Sequence, residues 1–340
     1  LNPEDKMLFD TAKAKEVNQY LANEAVGRCL DKEEELEGWN SNRIRRARWV
    51  PGWKKIPTNQ HGEAREEARR SSGQTTISAD GSRKAKARIV IIGFEHPDLG
   101  SPEYKTAAPV MSALGRNVCI QAAVQERWLI EGLDMTTAFL QIDQVTQEEH
   151  RLWTTGVPEL LSAMGASPGE LLRIVRNLYG LTTAPRSLWQ DVTRTCTALG
   201  GVKLIGDRCI FARFGDDPYP RNGQDKYRLC GYVGANVDDF TRSGDHQSLK
   251  RRGVKATLDE AYNWGLQRSG NFRFTGLDVT QFDNKEIELD QDFYFEALDF
   301  PEFDPVRLKQ PKAPMTAQEI TMTRQLLGGL LWAAVQTQPL

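Results

Sequence analysis

Two aspartates, Asp238 and Asp239, stand side by side inside a stretch that otherwise has the pattern of a β-hairpin, KYRLCGYVGANVDDFTRSGD at 226–245. Aspartate has low β-propensity, and adjacent carboxylates repel one another. A chain that keeps such a pair at a hairpin tip either exposes a turn there or uses the charges to hold a cation. A third acid, Asp134, follows the apolar run LIEGL and precedes MTTAFL, so it also ends a strand pattern. Hard cations such as Mg²⁺ take carboxylate oxygens, and two of them about 3.5–4 Å apart can clamp an in-line phosphoryl displacement. Asp134, Asp238 and Asp239 are therefore the candidate catalytic and metal-ligating residues.

The rest of the chain mixes helices with separated hairpins. Residues 8–30 read as an amphipathic helix, with Leu8, Ala12, Val17, Leu21 and Val26 at roughly helical spacing. RARWVPGWKKI (46–56) reads as a short strand pair broken at Pro51-Gly52, and the polar, Gly/Ser/Thr-rich residues 57–82 as a mobile surface loop. KARIVIIGF (86–94) is a strand, 117–128 a helix and 129–135 an apolar run ending in an acid. A strand at 171–178 and a helix at 185–199 flank a turn on Tyr179-Gly180. Residues 246–266 read as helical, 272–291 as a hairpin turning at Asp283-Asn284, and 322–335 as a terminal helix. Separated hairpins among helices predict an α+β fold rather than a doubly wound parallel sheet.

Charge narrows the classes of partner. The net charge of −2 excludes a globally basic nucleic-acid binder, but residues 43–88 hold thirteen Lys/Arg against four acids, a net of +9. Residues 281–340 hold ten acids against five bases. A cationic segment on an otherwise acidic chain suits either a polyanion contact or a solvated face beside a loop. The five cysteines form no CxxC pair and the four histidines are scattered, which excludes a zinc ribbon and fits free thiols in a reducing compartment. No run approaches the ~18–20 apolar residues of a membrane span. The acidic LNPEDKMLFD start carries no secretory signal, and without an initiating Met it is expected to be cut from something longer.

Read together, the segments come in a fixed order: KARIVIIGF (86–94), YKTAAPV (104–110), LDMTTAFLQ (133–141), LYGLTTAPRSLW (178–189), Asp207 with CIF (209–211), NVDDF (236–240), FTGLDV (274–279) and I-x-L-x-Q-x-x-Y (287–294). With RARWVPGWK (46–54) upstream and RQLLGGLLWAAVQTQP (324–339) at the end, the series resembles the reverse transcriptase of copia-type long-terminal-repeat retrotransposon polyproteins. Two positions depart from the family pattern: Asn236 stands where it has Tyr before V-D-D, and Thr183 where it has Gln. The terminal family motif is also altered, at Thr337-Gln338-Pro339-Leu340.

The resemblance implies a right-hand polymerase with an antiparallel palm sheet. Its parts would be a helical lead-in at 1–45, fingers at 46–125, a palm at 126–245 with a fingers insertion around 150–190, and 246–340 as palm end, primer-grip-like hairpin and connection. It implies RNA-directed DNA polymerisation with two Mg²⁺ ions, or Mn²⁺ in their place, on Asp134, Asp238 and Asp239. Lys86 and Arg88 would offer cations to the triphosphate. Phe139 would pack under the sugar and exclude a ribose 2′-hydroxyl. Tyr179 and Gly180 would line the nucleotide pocket, with Pro185 fixing the segment that follows. Each has a plainer alternative: Phe139 as core, Lys86 and Arg88 as the solvent side of a strand, Tyr179-Gly180 as a helix-capping turn. The implied partners are an RNA or DNA template with primer, deoxynucleoside triphosphates, and the ribonuclease H and integrase segments of a polyprotein, which this sequence does not contain. The implied location is a cytoplasmic virus-like particle with nuclear access. The alternatives are a decayed, catalytically weak nucleic-acid-binding copy of the same fold and, more remotely, a metal-dependent nuclease.

Overall fold

The computed structural model describes residues 2–56, 61–70, 75–143, 151–215, 228–244, 254–298, 300, 305–310 and 312–337. Its helices are α1 (Pro3–Ala22), α2 (Lys32–Asn40), α3 (His61–Arg70), α4 (Ala113–Gln125), α5 (Pro158–Ala163), α6 (Ala184–Ala198), α7 (Val254–Ala261), α8 (Asp292–Ala297), α9 (Pro305–Leu308) and α10 (Ala317–Thr337). Its strands are β1 (Val26–Arg28), β2 (Ile44–Arg45), β3 (Ala47–Lys55), β4 (Arg83–Ile91), β5 (Ile130–Met135), β6 (Trp153–Thr154), β7 (Leu172–Ile174), β8 (Val202–Lys203), β9 (Ile210–Gly215), β10 (Arg228–Asn236), β11 (Asp239–Gly244), β12 (Trp264–Ser269), β13 (Asn271–Phe274), β14 (Leu277–Gln281) and β15 (Ile287–Asp290). Among the described residues no helix is long and apolar enough to cross a membrane. All five cysteines are free, and Cys119, Cys196 and Cys209 are buried.

The chain divides into two units. The first holds residues 1–109, 136–196 and 260–263. Its α1 starts at Asn2, whose side chain accepts from the Asp5 amide at 2.7 Å, with Glu4 and Asp5 at the positive end of the helix dipole. The helix buries Leu8, Phe9, Ala12, Val17 and Tyr20. The first three pack on Ala85 and Ala87 of β4, small residues that let the helix approach the strand. β3 and β4 form an antiparallel ladder from Ala47↔Ile91 to Lys55↔Arg83. A second sheet, ordered β1-β7-β6-β2, carries a parallel pair, β2 with β6. Val26, Ile174, Leu172, Leu140, Leu178 and Leu181 join Tyr20, Ile89 and Ile91 in one core cluster.

The second unit holds residues 110–135, 197–259 and 264–340. Its six-stranded sheet is ordered β12-β5-β11-β10-β9-β8, and every pair is antiparallel. β13-β14-β15 form a smaller antiparallel sheet. A Cβ on Gly132 would lie 2.1 Å from the Phe272 ring, so glycine at that position is what admits β13 against β5. Mixed helices and mainly antiparallel sheets agree with the α+β expectation.

Five local expectations are corrected. The helix expected over 8–30 ends at Ala22, and Val26–Arg28 pair with β7 as a strand. The break at Pro51-Gly52 is absent: β3 runs straight through it. Pro51 faces Ala87, at a position in the ladder where β4 turns its backbone groups away from β3, as the outward bonds of the Ala85, Ile89 and Ile91 amides show. A proline nitrogen on that outer edge forfeits no ladder bond. Within the expected loop at 57–82, residues 61–70 are α3 instead, while 57–60 and 71–74 lie outside the described residues. Of the helix expected over 246–266, 246–253 lie outside the described residues, 254–261 are α7, and Trp264–Ser269 pair with β5 as a strand. The 272–291 hairpin is part of a three-stranded sheet with an additional turn at Thr275-Gly276.

Candidate active site

In the second unit, Asp134 at the end of β5 and Asp239 at the start of β11 are direct cross-strand partners. Facing residues of an antiparallel pair carry Cβ atoms about 4.5–5.5 Å apart, so the two side chains leave the sheet together on one face. Asn236 pairs with Asp239 and closes a two-residue turn, Val237-Asp238. The carbonyl of Asp238 accepts from the Met135 amide at 2.9 Å, which ties the turn to the end of β5. Asp134 and Asp238 are exposed and Asp239 is half-buried. Val237 stands at φ +60°, a left-handed conformation that a β-branched side chain strongly disfavours. Among the described residues, no group of three or more His, Cys, Asp or Glu side chains is gathered to hold a metal ion. The backbone sets the three aspartates at one end of the sheet, but the side chains do not converge.

The surroundings of the aspartates are built. On their face the next cross-strand pair is Gly132 with Thr241, and Phe272 of β13 lies against Gly132. This sets the β13–β14 hairpin, expected from sequence to act at a primer end, one pair away from Asp134 and Asp239. On the opposite face Arg242 is buried, its Nε donating to Glu131 at 2.6 Å and its other nitrogens to Asp259 at 3.3 Å and Gln267 at 3.4 Å. That guanidinium is committed away from the aspartate face.

In the first unit, four of the five expected nucleotide-binding residues form one patch. The Arg88 guanidinium lies 4.7 Å from the centre of the Tyr179 ring, and that ring meets Phe139 edge-on at 5.4 Å. The Tyr179 carbonyl accepts from the Ile91 amide at 2.7 Å. Gly180 follows at φ +92°, and a Cβ there would lie 2.0 Å from the Ile91 carbonyl oxygen, so the turn needs glycine on both counts. Lys86 is exposed on the same face of β4, two residues from Arg88. Phe139 is half-buried in the short helical turn Ala138–Gln141 and packs on the core cluster, so it is partly core and partly available. Pro185 lies at the start of α6.

Sequence reasoning missed three neighbours of this patch. Tyr104 stacks on His96 at 4.1 Å, and its hydroxyl lies 3.1 Å from Thr182, which holds the 104–110 segment beside the Tyr179 turn. Glu16 and Tyr20 of α1 reach the edge of β4 at Ile89. Burial pushes the Glu16 carboxyl up to about 7 despite the Ile89 amide and the positive charges of Arg88 and Lys86. These contacts span long sequence separations, and no local spacing announces them.

No protein-family model matches the chain. It is 29% identical over 185 residues to the retrovirus-related Pol polyprotein from transposon RE2 of Arabidopsis thaliana, which covers 54% of this chain and 11% of that protein. It is 28% identical over 136 residues to the corresponding polyprotein from transposon RE1, over 39% of this chain and 9% of that protein. The chain thus spans about a tenth of the length of these relatives. Among solved structures, the foamy viral protease–reverse transcriptase in complex with double-stranded DNA aligns over 97% of this chain and 52% of its own, at 13% identity and a TM-score of 0.38. A telomerase from Candida tropicalis in complex with a telomeric RNA fragment aligns over 71% and 44%, at 9% identity and a TM-score of 0.33. The ordered motifs of this chain and its sequence relatives agree: it is a relative of the retrovirus-related Pol polyproteins of plant transposons.

Proposed function

We propose that the chain is the reverse transcriptase part of a retrotransposon polyprotein, an RNA-directed DNA polymerase with fingers, palm and thumb-like parts that extends a primer 3′ end. The observation that carries this is the facing register of Asp134 and Asp239 with Asp238 on the adjoining turn, in a chain related to Pol polyproteins. Two carboxylates side by side with a third one residue away are a donor set suited to hard divalent cations. Asp134, Asp238 and Asp239 would hold them. Two Mg²⁺ ions, or Mn²⁺, bound there would activate the primer hydroxyl and neutralise the leaving pyrophosphate.

The chain's own groups do the rest. Lys86 and Arg88 bind the triphosphate of the deoxynucleotide, and the Tyr179-Gly180 turn backs Arg88 by stacking. Phe139 packs under the sugar and rejects a 2′-hydroxyl. The 43–88 segment contributes phosphate contacts to an RNA or DNA template with its primer. Ribonuclease H and integrase segments of the same polyprotein, and a cytoplasmic virus-like particle with access to the nucleus, complete the proposed setting.

One observation favours a second function: Asn236 replaces the expected Tyr beside the aspartates, consistent with a catalytically weak copy that still binds nucleic acid. Primer extension on poly(rA)/oligo(dT) separates the two. The parent extends the primer, and Asp238→Asn, which removes one anionic ligand and keeps the shape, loses extension by orders of magnitude while remaining folded. Equal extension by Asp238→Asn refutes the assignment of the pair; no extension by a parent that binds primer–template selects the weak copy.

A further inference from the structure

The open edge of β4 is closed by groups from distant parts of the first unit, and one closure stands beside Arg88. Glu16 and Tyr20 lie four residues apart on one face of α1. The Tyr20 hydroxyl donates to the Ile89 carbonyl at 2.8 Å, and the Ile89 amide donates to Glu16 Oε1 at 3.3 Å. Both backbone groups of Ile89, a fully buried residue, are thus taken by side chains of a single helix. Two residues on, the Ile91 amide donates to the carbonyl of Tyr179, whose ring lies against the guanidinium of Arg88. The contacts form a closed circuit from α1 through Ile89 and Ile91 to Tyr179 and back to Arg88.

We infer that Glu16 and Tyr20 are positioning residues for the triphosphate of the incoming nucleotide, acting by clamping Ile89 so that Arg88 is held against Tyr179. This rests on Lys86 and Arg88 binding that triphosphate. The clamp is also proton-linked. The groups that face Glu16 are the Ile89 amide, Arg88 and Lys86 from β4, with Tyr20 beside it on α1 and Tyr179 acting on Tyr20. Burial raises the Glu16 carboxyl into the neutral range against the pull of both cations. A polyanion docking on those cations offsets their pull and favours protonated Glu16, so the triphosphate binds more tightly as pH falls through 7. Protonated Glu16 keeps its carbonyl oxygen as acceptor for Ile89.

Three variants separate geometry from charge. Glu16→Ala and Tyr20→Phe each remove one hydrogen bond to Ile89, and each raises the KM for dTTP about 3- to 10-fold, the equivalent of one net hydrogen bond. Neither changes kcat or primer–template affinity by more than about twofold. Glu16→Gln keeps the acceptor and restores the parental KM at pH 6. It also abolishes the Glu16 share of the pH dependence, about a threefold rise in parental KM between pH 6 and 8. Titration of the nucleotide's own phosphate is common to parent and variant and cancels in their ratio. Parental KM in both Glu16→Ala and Tyr20→Phe overturns the clamp, as does a Glu16→Gln profile that follows the parent. Failure of the polymerase function shows in the parent itself. In that event dTTP binding by equilibrium dialysis replaces KM: binding with the same variant pattern supports the clamp, and an absence of triphosphate binding overturns it.

Discussion

Replacing Glu16 by glutamine removes one charge and almost no volume, and its effect on stability follows from one buried carboxyl. In the unfolded chain Glu16 titrates near 4.5; in the fold, burial pushes it up to about 7. Between these values the folded protein binds more protons than the unfolded one, so stability falls as pH rises through that window. The contribution is fully present below pH 4.5 and lost above pH 7. At 1.36 kcal/mol per pH unit the loss comes to about 3 kcal/mol. Glutamine cannot ionise, but it still accepts from the Ile89 amide. Parent and Glu16→Gln therefore differ by less than about 1 kcal/mol at pH 5, and the variant is more stable by about 3 kcal/mol at pH 8. Urea titrations of both proteins at pH 5, 6, 7 and 8 measure the difference. A difference that is flat across the series, or that favours the parent at pH 8, refutes the picture of a carboxylate ionised at a cost. Glu16→Ala supplies the internal contrast, since it loses the bond to Ile89 and lies below Glu16→Gln at every pH while sharing its lack of pH dependence.

Other perturbations test separate parts of the molecule. Truncating Phe139 to Ala opens space beside C2′ of the sugar, so the ratio of kcat/KM for a deoxynucleotide over its ribonucleotide falls by a decade or more; an equal loss for both sugars makes Phe139 core alone. If residues 43–88 meet phosphates, log affinity for primer–template falls with log salt by about 0.7 to 0.9 per contact, and neutralising Arg48, Lys84 and Lys86 together flattens that slope. Arg116 is buried and donates to Thr275, to Gln336 at 2.7 and 2.9 Å, and to Asn117, with no carboxylate among these partners. Arg116→Ala strands those acceptors and leaves a cavity, a loss of about 3 kcal/mol readable as a lower urea midpoint; an unchanged midpoint refutes the role of Arg116 as a tie between α4, the 275 turn and the end of α10.

The sequence was legible where pattern is local. The alternation of Ala85, Ala87 and Ile89 with Lys84, Lys86 and Arg88 marks β4, and its apolar face is the one that packs on α1 and the core. The hairpin with Asp238 at its tip, the run ending at Asp134, and the helices expected over 117–128 and 185–199 follow from spacing of the same kind, whereas the helix expected over 8–30 stops at Ala22. Illegible elements owe their form to partners. Trp264–Ser269 is largely exposed and without alternation, and only pairing with β5 makes it a strand. Pro51-Gly52 reads as a break until the ladder shows that the proline faces the outer edge. Helix α3 hides in polar composition, where Arg69 pairs with Glu66 one turn away. In the candidate site, Arg88, Phe139 and Tyr179 are far apart in sequence, and no spacing rule places a guanidinium on a ring. Ordered motifs singled them out as candidates, and the contacts came only with the fold.

The end of the six-stranded sheet holds features that work against folding. Asp134 and Asp239 put like charges directly opposite each other, which destabilises a strand pair. One residue before Asp238, Val237 adopts φ +60°, a conformation that costs a β-branched residue on the order of 1–3 kcal/mol. Each would be relieved by an ordinary substitution: asparagine for either aspartate, glycine for Val237. Both strains fall at one end of the sheet, where the Val237-Asp238 turn is tied to β5 by the Met135 amide, while the opposite face of the same strands carries the Arg242–Glu131 pair. A cation held between the facing carboxylates reverses the sign of the electrostatic part, since it turns their mutual repulsion into shared attraction. On that ground Mg²⁺ raises the unfolding midpoint of the parent and much less that of Asp134→Asn, even where no primer is present. Equal shifts in the two proteins would leave the paired aspartates without a cation to explain them.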